Sequence, residues 1–195
     1  MELRRLRESF LDGPVVDRDG YEYFVNPVSD GVPRVDRELL EEVVSGIVEI
    51  ADLDCDVILA PEAMGLPIAA ALTIRTGIPY LAIRKRPYGL LGEISYEQRT
   101  GYSGSVMHVA TLEPGERVAI VDDVVDTGGT LKATVSALRK AGVTVTEAIA
   151  VYDRCPDVSA LSEELGVPVR GLVRVRMVDG RPTVLDRSTS GHLII

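Results

Sequence analysis

From Val118 to Thr130 the chain reads Val-Ala-Ile-Val-Asp-Asp-Val-Val-Asp-Thr-Gly-Gly-Thr. Its opening apolar run suits a strand buried on both faces, and the Thr/Gly turn that follows opens a helix. Asp122 and Asp123 therefore stand at the carboxyl end of a buried strand. The backbone N–H groups of Thr127, Gly128, Gly129 and Thr130 fall at a helix N-terminus, where they lack intrahelical partners and the helix dipole favours an anion. The two glycines permit close approach, and the two threonine hydroxyls add donors. The acids have the wrong sign for phosphate. They suit hydrogen bonds from neighbouring sugar hydroxyls and would draw a hydrated Mg²⁺ nearby. A phosphorylated sugar fits both halves.

The surrounding chain supplies the sheet that such a strand requires. Val57 to Ala60, a helical stretch after Gly65-Leu-Pro and a strand from Pro79 to Arg84 make one βαβ unit. Arg117 to Asp123, a helix from Thr130 to Lys140 stopped at Gly142, and a strand ending near Asp153 make a second. A parallel sheet covered on both faces is expected, with ligands outside the carboxyl ends of its strands. Upstream, Leu3, Leu6 and Phe10 share the face of a short helix. Val15-Val16 and Tyr21 to Val25 read as a hairpin, Asn26-Pro27 as a polar loop, and Asp36 as the cap of a helix carrying Leu39, Val43 and Ile47. Residues 86–107 show no sustained periodicity and read as a mobile active-site cover. The segment VRGLVRVRMVDGRPTVL reads as a closing hairpin around Asp179-Gly180.

Composition narrows the partners. The 195 residues carry a formal charge of −9, which would repel a nucleic-acid backbone. No apolar run approaches the roughly 18 residues of a membrane span, and MELRRLRESF lacks the apolar core of a secretory signal. Neither nucleic acid nor membrane is expected as a partner, and the expected location is the cytoplasm. Cys55 and Cys155 lack metal-ligand spacing and are read as reduced structural residues. Only Lys85, Lys132 and Lys140 are lysines, a bias that with the acidity suits a high-salt cytoplasm or reflects base-composition drift.

The stretch from Val118 to Thr130 resembles the PRPP-binding signature of type I phosphoribosyltransferases: hydrophobic residues, two acids, a short variable stretch, then Thr-Gly-x-Thr. The resemblance extends from about Tyr21 to about Leu165. It implies a type I phosphoribosyltransferase fold, α/β with a twisted, mainly parallel sheet flanked by helices. It also implies one domain over residues 1–195, with hood elements from about 1–35 and 166–195 and a flexible cover loop over about 86–107. Glu62-Ala63-Met64-Gly65 resembles the family's pyrophosphate loop and Arg84-Lys85 its basic dyad. Asp122 and Asp123 would take the ribose of PRPP and the Mg²⁺ that it carries, with no direct protein metal site, and residues 127–130 would take the 5′-phosphate. A homodimer is implied.

Two positions bear on the base. Asp126 matches an acid that exchanges a proton with N7 in hypoxanthine/guanine enzymes, although an acid at a helix start is also explained by the dipole. Arg154 matches a basic residue that donates to O6 of the purine, and a guanidinium donates only; a surface arginine paired with Asp153 is the alternative. The cover segment looks more like that of adenine enzymes, but Tyr102 stands where those carry Glu, and Met64 where they carry Arg. With YEYFVNPVSDGVP and the Glu-Ala-Met-Gly loop, the whole pattern most resembles the archaeal hypoxanthine/guanine phosphoribosyltransferase family, among its salt-loving members. The implied reaction joins hypoxanthine or guanine to PRPP, giving IMP or GMP and pyrophosphate. Adenine or xanthine specificity and a non-catalytic PRPP-binding regulator are the alternatives.

Overall fold

The computed structural model describes residues 2–18, 21–99 and 104–185. An eight-stranded sheet forms its centre, in the order β10-β9-β8-β7-β3-β4-β6-β5. Strands β3 (Val57–Pro61), β4 (Tyr80–Arg84), β7 (Arg117–Val125), β8 (Thr144–Asp153) and β9 (Val169–Val178) are its parallel body. Strand β10 (Arg181–Leu185) adds antiparallel to β9, and β6 (Gly104–Val109) and β5 (Ile94–Arg99) add antiparallel beyond β4. A separate two-stranded hairpin joins β1 (Val15–Arg18) to β2 (Tyr21–Phe24).

The body strands are apolar throughout because both faces are covered. Ile58, Ala60, Ala119, Val121, Ile149 and Val151 point to one face, while Leu59, Val118, Ile120, Ala148 and Ala150 point to the other. The first face takes α1 (Arg4–Leu11), α3 (Arg37–Ile50) and α4 (Gly65–Thr76) through Leu6, Phe10, Leu39, Val43, Ile47, Ile68 and Leu72. The second takes α5 (Gly129–Lys140) and α6 (Val158–Leu165) through Val135, Leu138, Leu161 and Leu165. Leu6, Phe10, Ile47, Leu72 and Leu138 are wholly buried, and each contributes about 1.5–3 kcal/mol relative to exposure. Side chains fix the helix starts. Asp36 accepts the amide of Leu39 at 2.8 Å, and Asp157 accepts those of Ser159 and Ala160 at 3.0 Å.

From β3 the chain moves one way to β4, and from β7 it moves the other way through β8 to β9. The strand order therefore reverses between β3 and β7, which opens a crevice at their carboxyl ends. Glu62 to Gly65 and Asp122 to Thr130 leave the sheet at that crevice.

Four expectations change. The Asn26-Pro27 loop is the one-turn helix α2 (Pro27–Asp30), because the Asn26 side chain accepts the amides of Val28 and Ser29, both at 3.0 Å. The cover segment, expected to be irregular, carries β5 and β6: Ile94 and Tyr96 pack toward the core while Ser95 and Glu97 face outward, a strand alternation too short and polar to stand out. Helix α6 was not anticipated. The C-terminal hairpin forms as read, but β9 also pairs parallel to β8, so the hairpin extends the main sheet. No helix among the described residues is long and apolar enough to cross a membrane.

Candidate active site

Strand β7 carries the acid pair to the crevice, where Asp122 Oδ1 accepts the amide of Asp123 at 2.9 Å. Enclosure raises the Asp122 carboxyl well above the usual range, and the adjacent Asp123 carboxylate raises it further. The chain then turns through Thr127 and Gly128 into α5. Gly128 has φ +75°, a conformation that favours glycine, and a Cβ there would meet Leu161 Cδ1 at 2.6 Å and force that side chain to shift. No side chain caps α5, and first-turn amides without intrahelical partners suit an anion. A cleft of about 540 Å³ runs alongside, lined by Pro61, Asp122, Asp126, Thr127, Gly128, Gly129 and Thr130 at its polar end and by Ala148, Ala150 and Val169 below. Asp126 and Thr127 are exposed at its mouth.

The cover hairpin meets this turn directly. Gln98 Nε2 donates to Thr130 Oγ1 at 2.8 Å, and the Tyr96 and Thr134 hydroxyls lie 2.8 Å apart. Thr134 in turn donates to the Thr130 carbonyl at 2.9 Å. Burial pushes the Tyr96 phenol up to about 12, so it stays protonated. Neither Tyr96 nor Gln98 was singled out from sequence, and the alternation of Ile94, Tyr96 and Gln98 was the available signal.

The loop after β3 lies beside the acid pair, with a cis Glu62–Ala63 peptide. A Cβ on Gly65 would meet Val121 O at 2.9 Å and Asp122 Oδ1 at 3.4 Å, so only glycine lets the loop approach β7 this closely. Ala63 is exposed. Glu62 is engaged with the basic dyad: its Oε1 accepts the Lys85 amide at 2.8 Å, and its Oε2 lies 3.9 Å from Arg84 Nε. Met64 goes elsewhere. It lines a small apolar niche with Val28, Leu39, Val43 and Ile68, away from the residues that line the cleft. Glu62 to Gly65, Arg84 and Lys85 thus stand on the rim beside the cleft rather than among its lining residues.

Arg154 also lies outside the cleft lining. Its amide donates to Val125 O at 2.8 Å, and its guanidinium carbon sits 5.3 Å from the centroid of the Phe24 ring. The turn that carries it is held by groups not anticipated from sequence. Asp153 Oδ1 accepts the Cys155 amide at 2.8 Å, Arg174 donates to Pro156 O at 2.9 Å, and Arg176 donates to Cys155 O at 2.5 Å. The alternating arginines of β9 were the visible sign of that role.

His108 has its Nδ1 2.6 Å from Glu93 Oε1 and 2.9 Å from Ser95 Oγ. Serine and glutamate approach the same ring nitrogen, so the trio cannot relay a proton from a nucleophile. Cys55 and Cys155 are unpaired, and burial raises both thiols. His192 and Tyr102 lie outside the described residues. Among those described, no group of three or more His, Cys, Asp or Glu side chains could hold a metal ion.

An acid pair is followed by an uncapped helix N-terminus at the point where the parallel sheet reverses its order, an arrangement whose donors and acceptors suit a phosphorylated sugar. Residues 37–158, more than half of the chain, match the family described as "Phosphoribosyl transferase domain". The hypoxanthine/guanine phosphoribosyltransferase of Methanosarcina acetivorans is 49% identical over 89% of this chain and 91% of its own length. HGPRTase-like protein 2 of Haloterrigena turkmenica is 47% identical over 93% and 99%, and the hypoxanthine/guanine enzyme of Methanothermobacter thermautotrophicus is 43% identical over 97% and 98%. Adenine phosphoribosyltransferase from Thermoanaerobacter pseudethanolicus superposes with a TM-score of 0.72 at 22% identity, covering 88% of this chain and 99% of that one. At that identity the likeness extends to the fold alone. The chain belongs to the phosphoribosyltransferase family, and its fold is the type I phosphoribosyltransferase fold.

Proposed function

We propose that this chain transfers the phosphoribosyl group of PRPP to N9 of hypoxanthine or guanine, giving IMP or GMP and pyrophosphate in purine salvage. The observation that carries this reading is the run from Asp122 to Thr130. It sets two acceptors for ribose hydroxyls directly before an uncapped helix N-terminus suited to the 5′-phosphate. The purine is read from the names of the archaeal relatives and from Asp126.

In this reading residues 127–130 hold the 5′-phosphate, and Glu62 to Gly65 with Arg84 and Lys85 hold the diphosphate at the crevice rim. The N9–C1′ bond forms as the C1′–diphosphate bond breaks, and Asp126, exposed at the cleft mouth, accepts the proton leaving N7. Positive charge developing on the ribose is met by fixed groups, so catalysis rests on positioning and electrostatics. Two adjacent carboxylates, one of them with a raised pKa, form a donor set that a divalent cation would relieve. Mg²⁺ carried by PRPP would neutralise the leaving diphosphate there. Arg154 serves O6 of the base by leaving the Phe24 ring. The working form is a homodimer in the cytoplasm, its substrates are small molecules, and neither nucleic acid nor a membrane takes part.

Pyrophosphate release from PRPP and Mg²⁺ tests this, with hypoxanthine, guanine, xanthine and adenine offered separately at low and high KCl, and Asp126→Ala alongside. Turnover of 6-oxopurines that collapses in the variant supports the reading. Preference for adenine overturns the base, and binding of PRPP without turnover points to a regulator.

A further inference from the structure

An arginine at a strand end samples many rotamers unless something fixes it. Arg84 is held from two sides. Glu62 Oε2 lies 3.9 Å from its Nε, and its guanidinium carbon stands 4.9 Å from the centroid of the Tyr88 ring. That ring is itself tethered, because the Tyr88 hydroxyl donates to the carbonyl of Ala82, on the strand that carries Arg84, at 2.7 Å. The loop bearing Tyr88 is tied in turn. Glu93 Oε2 accepts the amides of Tyr88 and Gly89, both at 2.8 Å, while its Oε1 lies 2.6 Å from His108 Nδ1. His108 sits opposite Arg84 in the β4–β6 register. Contacts thus run without a break from the loop after β3, through Arg84, to the root of the cover hairpin. A tyrosine kept only for packing would bury its ring against apolar neighbours; this one is half-buried beneath a cation.

Resting on the PRPP reading above, we propose that Tyr88 is a positioning residue for the diphosphate. It fixes the Arg84 guanidinium at the crevice rim and, through Glu93 and His108, links that cation to the cover hairpin. Tyr88 acts on Arg84 and does not touch the substrate. Glu93 sets the loop on which the ring depends.

The test compares Tyr88→Leu, Tyr88→Phe, Arg84→Ala and the Tyr88→Leu/Arg84→Ala double variant, each checked for an unchanged thermal transition. Calorimetric titration with magnesium pyrophosphate reads the site without requiring turnover. Steady-state kinetics then separate KM for PRPP from KM for the base. Tyr88→Leu should weaken pyrophosphate binding and raise KM for PRPP by roughly 3- to 20-fold, with KM for the purine within about two-fold. Tyr88→Phe, which keeps the ring but loses the hydroxyl tether to Ala82, should fall between Tyr88→Leu and wild type, and the double variant should be no worse than Arg84→Ala alone. If Tyr88→Leu fails to fold, Glu93→Gln, which leaves the ring in place but loosens its loop, is expected to show the same selective loss. Additive losses in the double variant, or equal effects on both substrates, would overturn the inference. A wild-type protein that binds pyrophosphate but turns over no purine would count against the proposed reaction while leaving this inference to be judged by the titrations.

Discussion

The amide of Asp123 donates to Oδ1 of Asp122 at 2.9 Å, so the two acids at the end of β7 are fastened to each other as well as adjacent in sequence. Enclosure and the neighbouring charge raise the Asp122 pKa, so its ionised form is held at the expense of stability.

The sign of that effect is testable. A carboxyl whose folded pKa is raised contributes stability that is complete below its unfolded pKa and lost as pH rises through the folded value. At pH 7 the wild type has lost part or all of it. Asp122→Asn, which cannot ionise, should therefore melt at a higher temperature than wild type at pH 7, with the gap narrowing toward pH 4. The same change removes a charged acceptor for a ribose hydroxyl, so kcat/KM for PRPP should fall roughly 10- to 100-fold. Melting curves at both pH values and steady-state assays check the two halves.

Gly128→Ala should be costly in two ways. It places a side chain at φ +75° and sets a Cβ 2.6 Å from Leu161 Cδ1. The backbone term alone is about 1–2 kcal/mol, and the Tm should fall by roughly 2–4 °C per kcal/mol. Adding Leu161→Ala relieves the contact but not the backbone, so the double variant should not recover the wild-type Tm.

The cover hairpin should govern water exclusion. Gln98→Ala removes the donor to Thr130, and Tyr96→Phe removes the hydroxyl facing Thr134. Each should lower phosphoribosyl transfer by several-fold and raise the share of PRPP lost to hydrolysis, measured as pyrophosphate released without nucleotide formed. Shortening the hairpin should do far more than Pro33→Asp at an exposed position. Unchanged turnover after shortening would defeat the idea.

Two arginine pairs should differ sharply. Arg170 pairs with Glu147, which is 2% exposed and also accepts the Leu53 amide at 2.6 Å. Arg170→Met leaves that carboxylate buried without its cation and should cost about 3 kcal/mol. Arg117→Met, which breaks the exposed pair with Asp54, should leave Tm nearly unchanged. Chemical denaturation of both variants distinguishes them.

The body of the fold was legible because its strands are buried on both faces. Ile58 to Ala60 and Val118 to Val121 are continuous apolar runs, and the Thr/Gly turn after Asp126 leaves little choice about where the helix begins. Helix α6 was passed over although it is as long as α1, with Leu161 and Leu165 four apart on its buried face and Asp157 as its cap. The cover hairpin was hidden by polar alternation between glycine-rich flanks. Side-chain destinations were beyond a linear reading altogether. Met64 borders a niche made with residues of α2, α3 and α4, and Arg154 stands over Phe24, far upstream in sequence. Such pairings depend on which strands the sheet makes neighbours, and local sequence does not encode that. The contacts of Tyr96 with Thr134 and of Gln98 with Thr130 escaped for the same reason.

The most direct test of the central claim is a competition. Limiting PRPP with Mg²⁺ is offered to an equimolar mixture of hypoxanthine and adenine, and the nucleoside monophosphates formed are identified by mass spectrometry. IMP in large excess over AMP is the predicted result. Predominant AMP, or no monophosphate of either base, would contradict it.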